Sequence, residues 1–421
     1  MLVVNSNFPA HGGSRIDKFV KYLPMWGWKP VVLAARENLS AQSQEWRRAL
    51  YPADLECHYA RSILPSYFSE RFFGRGLSGK HYRLLQWLSL PERFVFVPDF
   101  MVRWIPLGIR MASRLVRQHG IEVVLTSSPT ESTHLIGWAL KRRFHIRWVA
   151  DFRDLWTEKK LVHRPATPLH GWGIQCLERQ VMARADHIIA NTEENRAYYQ
   201  RVFGVVEHRM SVIPNGFDWD DLSGVETDKR SDGVLRIGYM GNLSKHDFPW
   251  KLFLTALKRL VDTVGPAQIR FVHCGFYADE VRAYVQEMDL EDVVVSHGNY
   301  SHGEAVRVIA ATDIQLLLLY ETPYSEAIVP LKLYSYLIMP GPILALAPEQ
   351  GATARLITET GTGVVISPSR GMEVIYQQLQ QYFDAWKRGK LTCEPCRERL
   401  NRYDHRLHTA RLADIFLKRD A

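Results

Sequence analysis

The chain has 421 residues and a formal net charge of +8, and 46% of its residues are hydrophobic and 23% charged. This composition excludes a disordered or fibrous protein, and the length favours two domains over one large core. Five scattered cysteines argue against a disulfide framework, and the lone Cys393/Cys396 pair lacks the four ligands of a structural zinc site. With no secretory signal and no run of about 18 apolar residues, a cytoplasmic protein is expected.

Short apolar strands alternate with amphipathic helices through the first half of the chain. Residues 1–5 predict a strand, and residues 15–26 and 29–34 predict a helix and a second strand. The pattern then predicts a helix over 107–119, strands within 122–126, 147–150, 183–191 and 210–213, and a helix through His134 to about Arg143. Repeated strand–helix–strand units indicate a parallel, doubly wound sheet.

The alternation stops at Pro214 and resumes after Gly233. Between them the chain is polar, acidic and rich in turn residues, which is typical of a linker between domains. The second half predicts a helix over about 250–264 and strands at 235–240, 269–273, 293–296, 314–319 and 343–346. We therefore predict an α/β protein with two Rossmann-like, doubly wound domains, comprising residues 1–215 and 216–399.

Residues 149–156 place Asp151, Arg153 and Asp154 directly after an apolar strand. The carboxyl ends of parallel strands form the ligand crevice of an open α/β sheet, so charged residues there indicate a site. Phe152 and the final tryptophan support this interpretation, because large aromatic side chains are costly to leave exposed in an idle loop. The alternative is a solvated loop with one local arginine–aspartate pair.

Two glycine-containing turns are suited to binding an anionic group. Gly12-Gly13 follows the first strand and would let the backbone approach a phosphate or sugar closely. Gly241, followed by Asn242 and Lys245, occupies the equivalent place in the second half and would suit a diphosphate. The alternatives are an ordinary turn and a solvated loop lysine.

The stretch from Ser325 to Lys332 leads into an apolar helix. Free N–H groups at a helix start, together with a nearby lysine, form a natural anion site. The alternative is that Lys332 only extends along a packed helix to reach solvent. No GxSxG, HExxH, Walker A or dinucleotide-binding fingerprint occurs, which weighs against those enzyme classes.

Residues 71–120 contain nine basic and two acidic side chains, close to the excess charge of the whole chain. Aromatic residues are interleaved with the basic ones from Tyr67 to Trp104. Such a stretch suits an anionic membrane surface or a polyphosphate. Nucleic acid is not expected as a partner, because no binding motif for it occurs. The alternative is a packed helix with an ordinary basic outer face.

Motifs spaced along nearly the whole chain resemble the GT-B glycosyltransferases of family 4, which are retaining and use nucleotide sugars. The resemblance rests on short segments in a fixed order: Pro9 with Gly12-Gly13, Pro98-Asp99 with Trp104, residues 126–129 with His134 and Gly137, 151–156, 185–186 with 191–192, 212–218, 238–243, and Lys332 with Tyr336-Leu337 and residues 342–344. It implies two domains that face a cleft, with the acceptor bound mainly by the first and the donor by the second. A final helix, within about 400–421, would cross back onto the first domain.

The resemblance also implies roles for individual residues. Arg153 and Asp154 would act as catalytic residues beside the transferred sugar. The nucleotide-sugar donor would be bound by Gly12, Gly13, Gly241, Asn242, Lys245, Glu326, Ile328, Val329, Lys332 and Ser335. No metal or other cofactor is expected, because fixed cations and helix N-termini would stabilise the leaving diphosphate.

Three positions depart from the pattern of the family. Its ribose-binding glutamate falls on Ser335, its other glutamate falls on Ala327 beside Glu326, and its common arginine is Asn242. Two functions therefore stay open. The first is transfer of a sugar, with retention, to a glycan or lipid-linked acceptor in cell-surface polysaccharide or glycoconjugate biosynthesis, at the inner face of the membrane. The second is a catalytically silent protein that binds a glycan or a partner; a sugar-nucleotide epimerase is a third alternative.

Overall fold

The computed structural model describes residues 1–9, 14–39, 44–45, 47–48, 51–63, 96–157, 167–223, 232–244, 249–321, 325–393 and 395–418. The chain forms two compact units. Residues 1–214 and 408–421 make up the first unit, and residues 215–407 make up the second. The chain therefore leaves the first unit once and returns to it at its end.

The first unit is built on a parallel sheet with strand order β3-β2-β1-β4-β5-β6-β7, counted over the described residues. Its strands are β1 (Leu2–Val4), β2 (Val31–Ala35), β3 (Glu56–Ala60), β4 (Val123–Ser127), β5 (Arg147–Phe152), β6 (His187–Ala190) and β7 (Met210–Val212). The order changes direction between β1 and β4, which pair directly. In doubly wound sheets, ligands bind outside the carboxyl ends of the strands at such a switch point.

Helices connect these strands and cover the sheet. They are α1 (Arg15–Tyr22), α2 (Ile105–His119), α3 (Thr133–Phe144), α4 (Pro168–Arg184) and α5 (Glu193–Phe203). Ser14, Thr167 and Thr192 cap α1, α4 and α5, because each side chain accepts a hydrogen bond from an N–H group of the first turn. The strands β2 and β4 are buried over their whole length, as expected for strands with helices on both faces.

The second unit repeats the design with strand order β10-β9-β8-β11-β12-β13, again over the described residues. Its strands are β8 (Leu235–Met240), β9 (Ile269–Cys274), β10 (Val294–Ser296), β11 (Ile314–Leu318), β12 (Ile343–Leu346) and β13 (Gly363–Ile366). Its helices are α6 (Trp250–Val264), α7 (Asp279–Glu287), α8 (His302–Ala310), α9 (Leu331–Leu337), α10 (Ala352–Thr360), α11 (Met372–Lys387) and α12 (Arg397–Asn401). The switch point lies between β8 and β11.

A last helix, α13 (His405–Leu417), begins in the second unit and ends in the first. Within the first unit, Leu412 and Phe416 join the hydrophobic cluster formed by β1, β2 and α1, and the Phe416 ring lies 5.2 Å from that of Trp28. The end of the chain is thus part of the core of the first unit.

The predicted fold class is confirmed: the chain is an α/β protein with two parallel sheets. Some boundaries differ from the sequence prediction. The strand predicted at 147–150 continues through Phe152, so Asp151 lies in a strand rather than in a loop. The helix predicted over 15–26 becomes a 3₁₀ turn at Leu23–Trp26, where Pro24 has no N–H group to continue it. No helix in the described part of the chain is long and apolar enough to cross a bilayer.

The predicted linker after Pro214 begins as packed structure. The backbone N–H of Phe217 donates to the Tyr403 carbonyl, and the N–H of His405 donates to the Phe217 carbonyl. Asp218 is buried and caps a short 3₁₀ helix, Trp219–Leu222. Acidic and turn residues therefore indicated an irregular segment correctly, but its first nine residues belong to the second unit.

Candidate functional site

A buried ion pair lies at the carboxyl edge of the first sheet. Arg15, the first residue of α1, contacts Asp151 of β5 at 3.0 Å, and both side chains are inaccessible to solvent. The hydroxyl of Ser127, at the end of β4, donates to the same carboxylate at 2.7 Å, and Arg15 also donates to the Asn191 side chain at 3.2 Å. Burial raises the pKa of Asp151, and the guanidinium of Arg15 opposes that shift. This network fastens the start of α1 to three strand ends.

Arg153 and Asp154 follow directly after β5 and are partly exposed, with 31% and 43% of their side chains accessible. Their closest charged atoms are 3.8 Å apart, which is a loose ion pair. The N–H of Arg153 donates to the Ser128 hydroxyl at 3.3 Å, so its backbone is held by the loop after β4. Both side chains are thus partly accessible to solvent, and the backbone at Arg153 is fixed.

The aromatic residues of the same motif are core residues. Phe152 stacks on His134 at 4.3 Å between ring centroids, and Trp156 lies 6.4 Å from both rings. Burial lowers the pKa of His134 to about 3, so this histidine is neutral, and its Nδ1 is 2.9 Å from the Thr126 hydroxyl. Sequence reasoning noted correctly that these rings would not be exposed, and their role is to support the loop.

Asp99 joins two chain segments near this edge. Its carboxylate accepts hydrogen bonds from the N–H of Met101 at 2.9 Å and from the N–H and hydroxyl of Ser132, both at 2.8 Å. Burial, together with the nearby Glu131, raises the pKa of Asp99 to about 6. Asp99 therefore connects the segment that precedes α2 to the loop between β4 and α3.

In the second unit, Gly241 follows β8 at the switch point. Its φ of +138° is a conformation that favours glycine. The Gly241 carbonyl accepts a hydrogen bond from Nε2 of His273 at 2.8 Å, and His273 Nδ1 lies 2.9 Å from the Ser296 hydroxyl. Because a carbonyl only accepts, the proton of the neutral ring is on Nε2. Burial lowers the pKa of His273 to about 4, and the positive charge of Lys332 acts in the same direction.

Lys332 lies in the first turn of α9, and its side chain extends to the turn at Gly241. Its Nζ donates to the Tyr239 hydroxyl at 2.9 Å and lies 4.1 Å from the centre of that ring. A Cβ atom at Gly241 would collide with Nζ, so the absence of a side chain at this position makes room for the ammonium group. Burial lowers the pKa of Lys332 to about 7. The ammonium group therefore stands at the carboxyl edge of the second sheet with no carboxylate paired to it among the described residues.

Asn242 is exposed, and its side-chain oxygen accepts from the N–H of Phe276 at 3.2 Å. This contact ties the loop after β8 to the loop after β9. Tyr336 of α9 supports the same region from below, since its hydroxyl accepts from the N–H of Met240 at 2.8 Å. Asn242 thus has a structural contact that an arginine side chain, which has no acceptor atom, could not make.

The segment before α9 carries the other predicted donor residues. Glu326 is exposed, and Ile328 and Val329 are half-buried against the core under β11 and β12. The carbonyl of Ile328 accepts from the Thr353 hydroxyl at 2.6 Å, and Ser335 is half-buried one turn along the helix from Lys332. Of these residues, Ser335 shares α9 with Lys332, and the other three lie in the segment that precedes the helix.

Comparison with known proteins gives the family. Residues 13–221, about half of the chain, match the model of Glycosyltransferase Family 4. The chain belongs to glycosyltransferase family 4. A D-inositol 3-phosphate glycosyltransferase from Corynebacterium urealyticum is 25% identical over 168 residues, which is 38% of this chain and 39% of that relative. The matching region therefore spans about two fifths of the length of this curated relative.

Solved structures confirm the GT-B fold of this glycosyltransferase over its whole length. A sucrose-phosphate synthase from Thermosynechococcus elongatus superposes with a TM-score of 0.64 at 13% identity, covering 99% of this chain and 97% of that one. WaaG, a glycosyltransferase involved in lipopolysaccharide biosynthesis, superposes with a TM-score of 0.61 at 11% identity, covering 100% of both chains. At such identities the likeness concerns the fold alone.

The predicted site residues of the glycosyltransferase fall into three groups. Arg153 and Asp154 lie together in the first unit. In the second unit, Lys332 contacts the turn at Gly241 and Asn242, and Ser335 lies one turn along the same helix. Glu326, Ile328 and Val329 lie in the segment before α9, with Glu326 against Gly351 and Ile328 against Thr353. Gly12, Gly13 and Lys245 lie outside the described residues, as do residues 71–95 of the basic stretch. No cluster of three metal-ligating side chains occurs in the part of the chain that is described.

Sequence reasoning assigned no place in the site to four residues that shape these two regions: Arg15, Ser127, Tyr239 and His273. Arg15 was the most detectable of them, because a charged residue just after a glycine turn faces the strand ends. Tyr239 and His273 sit inside apolar strands, where a polar side chain one or two residues from the strand end indicates the same edge. Their partners come from distant parts of the chain, so spacing along the sequence could not identify the contacts.

Proposed function

We propose that this glycosyltransferase transfers a sugar from a nucleotide-diphosphate sugar to a glycan or lipid-linked acceptor with retention of configuration, in the biosynthesis of cell-surface polysaccharide or glycoconjugates. The observation that carries the proposal is the position of Lys332, whose ammonium group lies on Tyr239 beside Gly241 at the switch point of the second sheet. A cation beside a glycine turn, where the backbone can approach a ligand closely, suits an oxygen of a phosphate group.

The donor diphosphate would contact Lys332 and the backbone of the turn at Gly241. In breaking the bond to the sugar, the β-phosphate gains negative charge. A cation held in place before the reaction stabilises that charge without further rearrangement. Ser335 and Glu326, which lie on either side of Lys332 along the chain, would face the nucleoside and the sugar. In this proposal fixed protein charges take the place of a metal ion, so no cofactor is required.

Arg153 and Asp154 would act from the first unit on the transferred sugar and the acceptor. Arg153 has a fixed backbone and a partly exposed guanidinium, which suits contact with an anionic or hydroxyl-bearing group. Retention would proceed by attack of the acceptor on the face from which the diphosphate departs. The leaving phosphate oxygen would then receive the proton of the acceptor hydroxyl.

The protein would work at the inner face of the membrane, as a peripheral protein. Leu169 and Trp172 lie one turn apart on α4, with 73% and 62% of their surface exposed. Exposed leucine and tryptophan side chains are typical of helices that bind a lipid surface. Binding to vesicles should rise with anionic lipid and fall with salt, and Trp172→Ser should weaken it. Trp219→Ser, at an exposed tryptophan of the second unit, is the control.

Ser335 and Asn242 favour a second candidate, a catalytically silent glycosyltransferase homologue that binds a glycan or a partner. Ser335 lacks the carboxylate that would bind a ribose, and the Asn242 side chain is engaged with the Phe276 backbone. A silent protein needs only the fold and a surface, so it would tolerate changes at Arg153 and Lys332 without loss of function.

A panel of nucleotide sugars, with the free nucleoside diphosphates, tests the proposal by thermal shift. A ligand that binds the folded state raises the melting temperature by mass action. The donor that gives a shift is then tested for hydrolysis and transfer in wild type, Arg153→Ala and Lys332→Ala. Lys251→Ala is the matched control, since Lys251 is an exposed lysine of the same unit whose ammonium group lies over the Trp250 and Tyr284 rings, at 5.4 and 5.5 Å.

The proposal requires a shift with one donor and turnover that falls in both Arg153→Ala and Lys332→Ala but not in Lys251→Ala. A well-folded protein that shows no shift across the whole panel would favour the silent homologue. Conversion of the donor in the absence of any acceptor would instead indicate an epimerase.

A further inference from the structure

A basic groove opens at the amino-terminal edge of the first sheet. It has a volume of about 490 Å³ and is lined by the ends of α3 and α4 and by the residues that precede β5, β6 and β7. His145, Asp186 and Arg209 mark these three places along the chain. Arg153 and Asp154 follow β5 at its carboxyl end, so the groove is at the opposite edge from them.

The charge of the groove is strongly positive. Lys141, Arg142, Arg184 and Arg209 line it, and Asp186 is the one carboxylate among its lining residues. This leaves an excess of three positive charges around one concavity. Charges of one sign that converge on a concave site attract a ligand of the opposite sign more strongly than the same charges spread over a convex surface.

Some of these charged side chains form the walls of the groove and are held there by other protein groups. Lys141 Nζ contacts the Asp186 carboxylate at 2.5 Å and donates to the Arg184 carbonyl at 2.8 Å. Arg209 donates to the carbonyls of Met182 and Ala183 at the end of α4, at 3.2 and 3.3 Å. Asp186 is fixed in turn, because its second oxygen accepts from the backbone of β5. The walls are therefore formed in the absence of a ligand.

Arg142 and Arg184 are the charges left for a ligand. Arg142 is exposed and contacts no carboxylate among the described residues. The guanidinium of Arg184 lies 5.0 Å from the centre of the Trp138 ring and donates to Gln180, a neutral side chain. Arg184 is exposed, so guanidinium N–H groups remain accessible to the oxygens of a phosphate group.

Basic residues often occur in the last turn of a helix because they offset the partial negative charge there. Lys141 and Arg209 serve this purpose here, since both bind carbonyl groups at the end of α4. Arg142 and Arg184 add two further charges that bind no helix carbonyl among the described residues. Both also lie in the last turn of their helices, where their charge offsets the helix dipole without a hydrogen bond to a carbonyl, so their guanidinium groups can still bind a ligand.

We propose that this groove, defined by Trp138, Lys141, Arg142, Arg184, Asp186 and Arg209, is a second binding site, separate from the donor and acceptor sites, for a phosphate-bearing anion. The ligand is either a soluble phosphate compound or the headgroup of an anionic phospholipid. Arg142 and Arg184 bind its phosphate, and Lys141 and Arg209 contribute charge from the wall.

Calorimetric titration with inorganic pyrophosphate tests the site. Arg142→Gln/Arg184→Gln should bind pyrophosphate about tenfold or more weakly than wild type, because two charge-assisted contacts are lost. Arg388→Gln/Lys390→Gln removes the same charge from two exposed residues of the second unit and should bind like wild type. Lys332→Ala should keep this binding component, which separates it from any binding at the proposed donor site.

A second experiment, binding to lipid vesicles, identifies the source of the phosphate. Vesicles of phosphatidylcholine, with and without phosphatidylglycerol, are sedimented with wild type and with the groove variant. Loss of binding to the anionic vesicles in the groove variant alone assigns the site to a lipid headgroup, and unchanged vesicle binding assigns it to a soluble phosphate compound. Equal pyrophosphate affinity in wild type and the groove variant, or an equal loss in the charge-matched control, overturns the proposal.

Discussion

Arg15 and Asp151 form an ion pair across 136 positions of sequence, at 3.0 Å and with both side chains buried. The pair fixes the first turn of α1 to the end of β5, one residue before Phe152 and two before Arg153. A buried charge without its partner is far more costly than a buried pair. The ion pair therefore couples the stability of the first unit to the placement of its proposed catalytic loop.

Replacing Arg15 should destabilise the first unit severely. In Arg15→Met the Asp151 carboxylate keeps the Ser127 hydroxyl but loses its counter-ion, which costs about 3–5 kcal/mol. Arg15→Met/Asp151→Leu removes both charges and should be less destabilised than Arg15→Met alone. Urea-induced unfolding measures both variants. Lys258→Met, which removes an exposed ion pair with Asp262, should leave the midpoint unchanged. A double variant no more stable than Arg15→Met would contradict this account.

The affinity for a nucleotide sugar should fall as the pH rises through neutrality. Burial lowers the pKa of Lys332 to about 7, so the ammonium group loses its proton above that pH in the empty protein. A bound diphosphate favours the protonated form, and binding must therefore take up a proton at higher pH. The dissociation constant should rise up to about tenfold per pH unit above 7. Below that pH it should be constant.

Titration of the same nucleotide sugar at several pH values between about 6 and 9 measures this dependence. An intact nucleotide sugar is used because its esterified diphosphate does not change charge in this range. Lys332→Met should bind weakly and with no dependence on pH. A pH profile in Lys332→Met that parallels the wild-type profile would place the titrating group elsewhere.

Gly241→Ala should abolish donor binding, whereas its loss of stability should be no larger than that of a comparable glycine variant. The added Cβ collides with Lys332 Nζ, and the φ of +138° strains any residue other than glycine. Gly265→Ala is a matched control, because Gly265 has a φ of +94° and an open environment in the same unit. Both variants should lose about 1–3 kcal/mol of stability through backbone strain. Thermal shift with the donor should be lost only in Gly241→Ala, and an equal shift in the two variants would argue against contact at this turn.

The fold could be predicted from the sequence because both units alternate short apolar strands with amphipathic helices. Buried parallel strands are continuous apolar runs, and the strands at 235–240 and 343–346 and the helix over 250–264 were predicted at their observed bounds. The strand at Glu56–Ala60 was missed since it lies at an edge of the sheet and is half-buried, so polar residues interrupt its apolar pattern. The apolar pattern of a strand reflects its burial, so a strand that is only partly buried is harder to recognise in the sequence.

Positions in the site were predicted less completely than the fold. The loop after β5 and the turn at Gly241 could be proposed from the sequence because charge or glycine at a strand end is visible there. Arg15 and His273 were missed because each makes contacts with residues far along the chain, such as Asp151 and Gly241. Spacing along a sequence shows which side chains share an element, and it does not show which elements meet.

Acidification should destabilise the second unit through His273. Its pKa is near 6.5 in the unfolded chain and lowered to about 4 in the folded protein by burial, with Lys332 and His297 contributing positive charge. Between these values the unfolded state binds more protons, so the free energy of unfolding falls as the pH falls. The expected loss is about 1.4 kcal/mol per pH unit between about pH 6.5 and 4.

His273→Gln isolates this effect. The glutamine amide can still donate to the Gly241 carbonyl but does not titrate, so the variant should lose less stability than wild type over the same pH range. Urea-induced unfolding at several pH values measures the slopes, and His208→Gln, at an exposed histidine, should keep the wild-type slope. Equal slopes in His273→Gln and wild type would mean that the pKa of His273 is not lowered in the folded protein. In that case the turn at Gly241 would not depend on a neutral imidazole beneath it.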